Sequence, residues 1–326
     1  MITGLHHVGL SVLNLDAAID FYTKQHAYNL SHRFDVEDNA NNRAMLQLDN
    51  ASARGAFLQG SLGCLELFEY ACKPEMDQED KAVYSAGIRH ICLQSEISDR
   101  LYDGLVAAGA TSHARPSGLG TGNSYVYIRD PEGNLLELEG TPWAPEEARR
   151  PWFAHVALVT PDISRLTDFY ALLTGIDIHR QGSFGPSPKF DHVAGLSDIC
   201  FTGAWSRLAN AELEFWCYAH PPTLPGNRRS LATPGWNHIC FESDDIDADY
   251  ARLVAHGIEL HGPPHMFGNA RLFFGRDPDG NVFEVLQPGL DKQLTVAAML
   301  QEANGHSVDA ARTAYRNRLA ATATEA

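Results

Sequence analysis

The stretch Leu5-His6-His7-Val8-Gly9-Leu10-Ser11-Val12 is read first, because the chain repeats its core four times. His7-Val8-Gly9-Leu10 returns as His90-Ile91-Cys92-Leu93, as His155-Val156-Ala157-Leu158 and as His238-Ile239-Cys240-Phe241. The steps from 7 to 90 and from 155 to 238 are both 83 residues. Self-similarity at a fixed spacing fixes architecture before local propensity does. The chain therefore reads as four related modules, two in each half. Wider echoes agree. Asp20-Phe21-Tyr22 returns as Asp168-Phe169-Tyr170, and Asp130-Pro131-Glu132-Gly133-Asn134 as Asp277-Pro278-Asp279-Gly280-Asn281.

Working outward, residues 5–12 alternate as a strand, and 15–24 carry helical spacing that Asn14 or Asp16 can cap. Short strands are expected near 43–48, 56–60 and 64–70. The second module repeats the plan: strand 89–94, helix 99–108, strands 125–129 and 134–139. Asp130-Pro131-Glu132-Gly133 joins that last pair, with Pro fixing φ and Gly supplying a positive φ. Each module is thus βαβββ. The fold class is α+β, with two cup-shaped mixed sheets and a helical C-terminal tail. The expected division is a first domain at 1–140, a linker at 141–151, a second domain at 152–288 and a tail at 289–326. Within the tail, 290–319 should be helical and 321–326 disordered.

Composition bounds the function. The 326 residues suffice for two domains with separate cores. A net charge of −16 argues against nucleic acid and anionic membrane surfaces as partners. No apolar run has the length of a transmembrane helix, and the start shows no secretory pattern. Cys64, Cys72, Cys92, Cys200, Cys217 and Cys240 form no CxxC pair, and several sit in apolar strand-like runs, which suits buried thiols in a reducing cytoplasm. The partner expected is a small molecule, with a homo-oligomer possible through the tail.

The chemistry sits on the repeated strands. His7, Glu66, His90 and Glu137 are separated by 59, 24 and 47 residues; His155, Glu214, His238 and Glu284 by 59, 24 and 46. Histidine and carboxylate are ligands of divalent transition metals. Preserved packing would explain repeated apolar residues and turns, but not two His and two Glu in each half. Strand alternation places Val8, Leu10 and Val12 on one face, and Leu5, His7, Gly9 and Ser11 on the other. Glu66, His90 and Glu137 likewise oppose Leu65/Leu67, Ile91/Leu93 and Leu136/Leu138. The second half behaves alike. All eight residues fall on the face away from the helices. The expectation is that His7 and Glu66 meet His90 and Glu137 within one half. Pairing across halves would instead mix His7 and Glu66 with His238 and Glu284. Phe68, Tyr70, Trp216 and Tyr218 share the same face and are candidate substrate-binding residues.

These residues together resemble the vicinal oxygen chelate superfamily, which includes glyoxalase I, methylmalonyl-CoA epimerase, extradiol dioxygenases and bleomycin or fosfomycin resistance proteins. The resemblance covers residues 4–140 and 152–287. It implies that ligands come from the first and last strands of paired modules, and it selects His7 over His6. It implies a divalent metal (Ni, Co, Zn, Mn or Fe(II)) and a glyoxalase- or epimerase-like isomerase or lyase, with Glu137 or Glu284 moving the proton. The alternative is an Fe(II) extradiol dioxygenase. For that reading, 265–284 partly resembles the signature, but Phe274 stands where tyrosine is expected and Pro263 at a glycine-like position. His192 is its candidate acid–base residue. A third reading is a ligand-sequestering protein. Glutathione-using relatives carry an arginine and an asparagine where this chain has Ser11 and Tyr70, and Val159 and Tyr218. A glutathione-independent substrate is therefore expected. Arg33, Arg43 and Arg271 are read as surface charges, and His32, His113, His179 and His220 as surface or loop residues.

Overall fold

A computed structural model describes residues 1–24, 27–72, 81–96, 98–141, 151–289 and 294–303. The first module runs β1 (Ile2–Ser11), α1 (Leu15–Lys24), β2 (Tyr28–Val36), α2 (Ala40–Leu46), β3 (Ala53–Gly60) and β4 (Cys64–Tyr70). The second runs β5 (Gly87–Ser95), α3 (Ser98–Ala107), β6 (Thr111–Ser112), β7 (Ser117–Gly118), β8 (Ser124–Arg129) and β9 (Leu135–Gly140). The third runs β10 (Trp152–Val159), α4 (Ile163–Thr174), β11 (Ile178–Phe184), α5 (Pro188–Ala194), β12 (Cys200–Arg207) and β13 (Glu212–His220). The fourth runs β14 (Gly235–Ser243), α6 (Ile246–Ala255), β15 (His265–Phe267), β16 (Ala270–Arg276) and β17 (Val282–Gln287), and α7 (Val296–Glu302) follows.

The strands form two mixed sheets, and the sheets do not follow the halves. One has the order β15-β16-β17-β14-β1-β4-β3-β2; the other is β11-β12-β13-β10-β5-β9-β8-β6, with β7 paired to β8. The first module therefore joins the fourth through antiparallel β1 and β14, and the second joins the third through β5 and β10. This corrects the expectation that each half closes its own cup. All four first strands carry the same pattern, so any two could pair; the chain joins the sequence-adjacent second and third modules and leaves the outer two to each other. The halves persist on the other side of the sheets. The Tyr22 hydroxyl of α1 donates to Asp130 Oδ2 in the second module at 2.9 Å. Tyr170 of α4 donates to Asp277 Oδ2 in the fourth at 3.2 Å. Each aspartate also accepts the backbone N–H groups of its own turn and the side-chain amide of Asn134 or Asn281. The repeated Phe-Tyr and Asp-Pro motifs are thus structural pins. One apolar core, drawn from all four modules, lies on this helical side.

Two local expectations also change. Residues 43–48 are not a strand. Asn39 caps α2 by accepting from Asn42 N at 2.9 Å, and Gln47 ends it in the left-handed region, burying Met45 and Leu46. The strand lies earlier, at β2, an edge whose Ser31, His32 and Arg33 face solvent and hide the alternation. Leu5 does not share the face of His7 but lies in the helical core. A bulge causes this, since the β1 register steps from Leu5↔Phe241 to His7↔Cys240. In the tail, α7 buries Val296 and Met299, the latter against Phe57 and Cys64. The linker residues 142–150, the helical expectation for 290–293 and 304–319, and the disorder expected for 321–326 lie outside the described residues. Among the described residues no helix is long and apolar enough to cross a membrane.

Two candidate metal centres

The first sheet brings together His7 of β1, Glu66 of β4, His238 of β14 and Glu284 of β17. His7 Nε2 lies 3.1 Å from Glu66 Oε2, 3.3 Å from Glu284 Oε2 and 3.1 Å from His238 Nε2. His238 Nε2 is 3.3 Å from Glu284 Oε2 and 3.5 Å from Glu66 Oε2. The second sheet repeats the arrangement with His90, Glu137, His155 and Glu214. There His90 and His155 Nε2 lie 3.2 and 2.9 Å from Glu137 Oε2 and 3.3 Å from each other, and His155 Nε2 is 3.4 Å from Glu214 Oε2. All eight marked residues meet in fours. The partition is the crossed one, so the within-half sets are corrected along with the sheets.

Electrostatics bind each quartet together. Burial works against a charged His7, but Cys240 and Glu66 beside it raise its pKa well above the usual value. Burial likewise opposes an ionised Glu137, yet hydrogen bonds from His155 and His90 pull it down to about 2. Burial lowers His155, and Glu214 and Glu137 reverse this, to about 9. Glu214 differs: burial pushes it up to about 7 against the pull of His155.

The residues fit a metal. Glu284 Oε2 is buried and accepts no hydrogen bond of good geometry, although two imidazole nitrogens lie 3.3 Å away. Buried carboxylate oxygens without a donor are costly unless a cation completes them. Two N and two O donors aimed at one point are a borderline set that first-row divalent ions accept.

Each quartet opens into a cavity. The first, of about 440 Å³, is walled mainly by apolar groups such as Phe34, Phe57, Phe68 and Leu286. The second, about 680 Å³, combines Phe201, Trp205 and Trp216 with Glu139, Arg180 and Arg207. Phe68 and Trp216 thus line cavities as expected. Tyr70 stacks behind Phe68 at 5.4 Å, and Tyr218 packs behind Trp216 and Phe201, so neither forms the wall. His32 and His179 are exposed, as expected of surface residues, and they also line the first and second cavities respectively. Their edge strands gave no apolar alternation to place them. His192 lines neither cavity; its Nε2 is 3.2 Å from Arg115 O. Arg33, Arg43 and Arg271 form surface ion pairs with Asp16, Asp38 and Asp247. His6 was passed over, yet the β1 bulge turns it into the first cavity beside His7.

Paired βαβββ modules with a His/Glu quartet in each cup define a mixed-sheet protein with two candidate metal centres. Residues 4–138 and 152–285 each match the Glyoxalase/Bleomycin resistance protein/Dioxygenase superfamily, and the chain belongs to it. Members of that superfamily typically are metal-dependent enzymes. Among solved structures, glyoxalase I from Zea mays is similar, with 17% identity and a TM-score of 0.60, over 92% of this chain and 95% of that one. A putative dioxygenase from Bacillus subtilis subsp. subtilis str. 168 is similar at 15% identity and a TM-score of 0.60, over 91% and 90%. At such identities the likeness shows the fold alone. Comparison with curated proteins gives no match.

Proposed function

We propose that the protein is a metal-dependent isomerase or lyase of the glyoxalase and epimerase type. Its substrate is a small molecule offering two adjacent oxygens, handled without glutathione. The observation that carries the reading is the first quartet: four donors facing one point at the floor of a largely apolar cavity. His7, Glu66, His238 and Glu284 would hold the ion there, and His90, Glu137, His155 and Glu214 in the second cup. A bound divalent ion supplies Lewis acidity to the two oxygens. Glu284 is the group proposed to move a proton at the neighbouring carbon, and Glu137 is its counterpart. Phe34, Phe57 and Phe68 keep water from the reacting atoms and so strengthen the local electrostatics. Among the described residues no lysine or arginine lines the first cavity, which supports a substrate without glutathione's carboxylates. The six free cysteines fit a cytoplasmic setting.

Turnover of α-hydroxycarbonyl compounds in deuterium oxide tests this. Solvent deuterium should enter the substrate carbon. Glu284→Gln should slow that exchange about 10²–10⁴-fold, the range for a lost acid–base group, while leaving weakened metal binding. Stoichiometric dioxygen uptake with ring cleavage of a catechol, supported by Fe(II) and by no redox-inert ion, would overturn the proposal.

A further inference from the structure

Each of the four histidines is preceded by a bulge residue. The ladders skip His6, Asn237, Ala154 and Arg89: Leu5↔Phe241 is followed by His7↔Cys240, Gly9↔His238 by Leu10↔Trp236, Phe153↔Leu93 by His155↔Cys92, and Ala157↔His90 by Leu158↔Ile88. A bulge sets two consecutive side chains toward one face. The residue before each histidine can therefore touch that histidine's ring, and the two cups use this differently.

In the first cup both preceding residues hold the ring. His6 Nε2 lies 2.6 Å from the Leu294 carbonyl, which can only accept, so Nε2–H donates. The other nitrogen of the neutral His6 ring is then an acceptor, and it lies 2.8 Å from His7 Nδ1. His7 must donate from Nδ1, so Nε2, facing the quartet, is the nitrogen that gives up its proton and offers its lone pair when a metal binds. His238 reaches the same state by another route. The Asn237 amide nitrogen donates to Ser11 Oγ at 2.7 Å and to Leu231 O at 3.2 Å. Asn237 Oδ1 is thereby turned to accept from His238 Nδ1 at 2.6 Å. Gly9 makes the room, since a Cβ there would run into the His238 ring and Asn237 Oδ1.

The second cup lacks these partners. His90 Nδ1 is buried with no hydrogen-bond partner among the described residues. The preceding residues are Arg89, a buried cation that donates to Ala86 O, and Ala154, which has no polar atom. Ala157 stands where Gly9 stands in the first cup, opposite the equivalent histidine. Glu214 is also committed elsewhere, its two oxygens accepting from Trp205 Nε1 at 2.7 Å and Trp216 Nε1 at 3.2 Å.

We infer that the two centres are unequal: His6 and Asn237 are positioning residues that preset the first centre for a metal, and Arg89 and Ala154 leave the second a weak site. This rests on reading the quartets as metal centres. Groups that orient a ligating histidine typically contribute 10–100-fold in affinity. The carbonyl of Leu294 ties the chain beyond the second half to the first centre. It is anchored there by Val296 N donating to Glu242 Oε2 at 2.8 Å.

The test is titration of the chelator-stripped full-length protein with Co(II), against a competing chromophoric chelator and by the Co(II) visible spectrum. One ion per chain should bind at least about tenfold more tightly than a second. His7→Ala should remove the tight ion, and His155→Ala should spare it. His6→Phe fills the volume without an acceptor and should weaken the tight ion about 10–100-fold. His6→Asn returns an acceptor near the Nδ1 position and should recover most of that loss, which a merely structural role would not produce. Independently, Arg89→Asn copies Asn237 into the second cup and should tighten the weak ion. Two ions of equal affinity, or equal effects of His6→Phe and His6→Asn, would overturn the inference while sparing the metal reading. No ion bound by the folded protein would overturn both.

Discussion

Gly9 is one of the most constrained residues near the first centre. It lies opposite His238 in the ladder, and a side chain there would collide with the ring. Gly9→Ala should therefore cost the first centre its metal while far-UV circular dichroism stays native; metal analysis after dialysis checks this. Retained metal would mean the ring can move aside without loss. At this scale spacing disclosed much. The eight quartet residues were legible because an interval kept twice in apolar strands has no packing explanation. The residues that orient them were not, because alternation assigns consecutive residues to opposite faces and a bulge suspends that rule. His6 looked redundant beside His7 for this reason, and Leu5 was placed on the wrong face.

Elements were legible where both faces carry a clear signal. The helix 15–24 was read with its bounds, and Asn14 does cap it, accepting from Ala17 N at 3.0 Å. The edge strand β2 was missed because its side chains meet water on most positions, and α2 was misread because a seven-residue helix shows barely two turns of pattern. The repeated Tyr and Asp motifs now have a physical role as pins between helix and turn. Tyr22→Phe should lower stability by about 1.5–3 kcal/mol, the scale of one hydrogen bond to a charged group. Tyr170→Phe should act alike through Asp277. Urea denaturation measures the loss, and metal content should not change, because these residues lie on the helical side of the sheets. A loss of metal at unchanged stability would show that the pins act on the centres instead. The tail offers a parallel test. Met299 is buried between Phe57 and Cys64, and Met299→Ala should loosen α7 by about 2–5 kcal/mol, the range for a core methionine truncation. Protease cleavage within α7 should accelerate accordingly.

The whole molecule is an interleaved object: two sequence halves, each pinned internally between helix and turn, and two cups each built from both halves. Sequence periodicity gives module number and module content, since those depend on residues within one module. It does not give the pairing, since that depends on which of four equivalent strand edges finds which. The interleaving has a direct consequence for the halves as fragments. Residues 1–140 alone expose two strand edges, β1 without β14 and β5 without β10, and such edges invite association. Each fragment also holds only half of each quartet: His7 and Glu66 from one centre, His90 and Glu137 from the other. A monomeric 1–140 fragment should thus bind no divalent ion tightly, and neither should 152–326. Co-expressed, the two should form a one-to-one complex with the metal content of the intact chain. Equilibrium dialysis of fragments and complex decides the matter. A monomeric 1–140 fragment that binds one ion as tightly as the intact protein would mean that a single half can close a quartet, and the crossed architecture would be wrong.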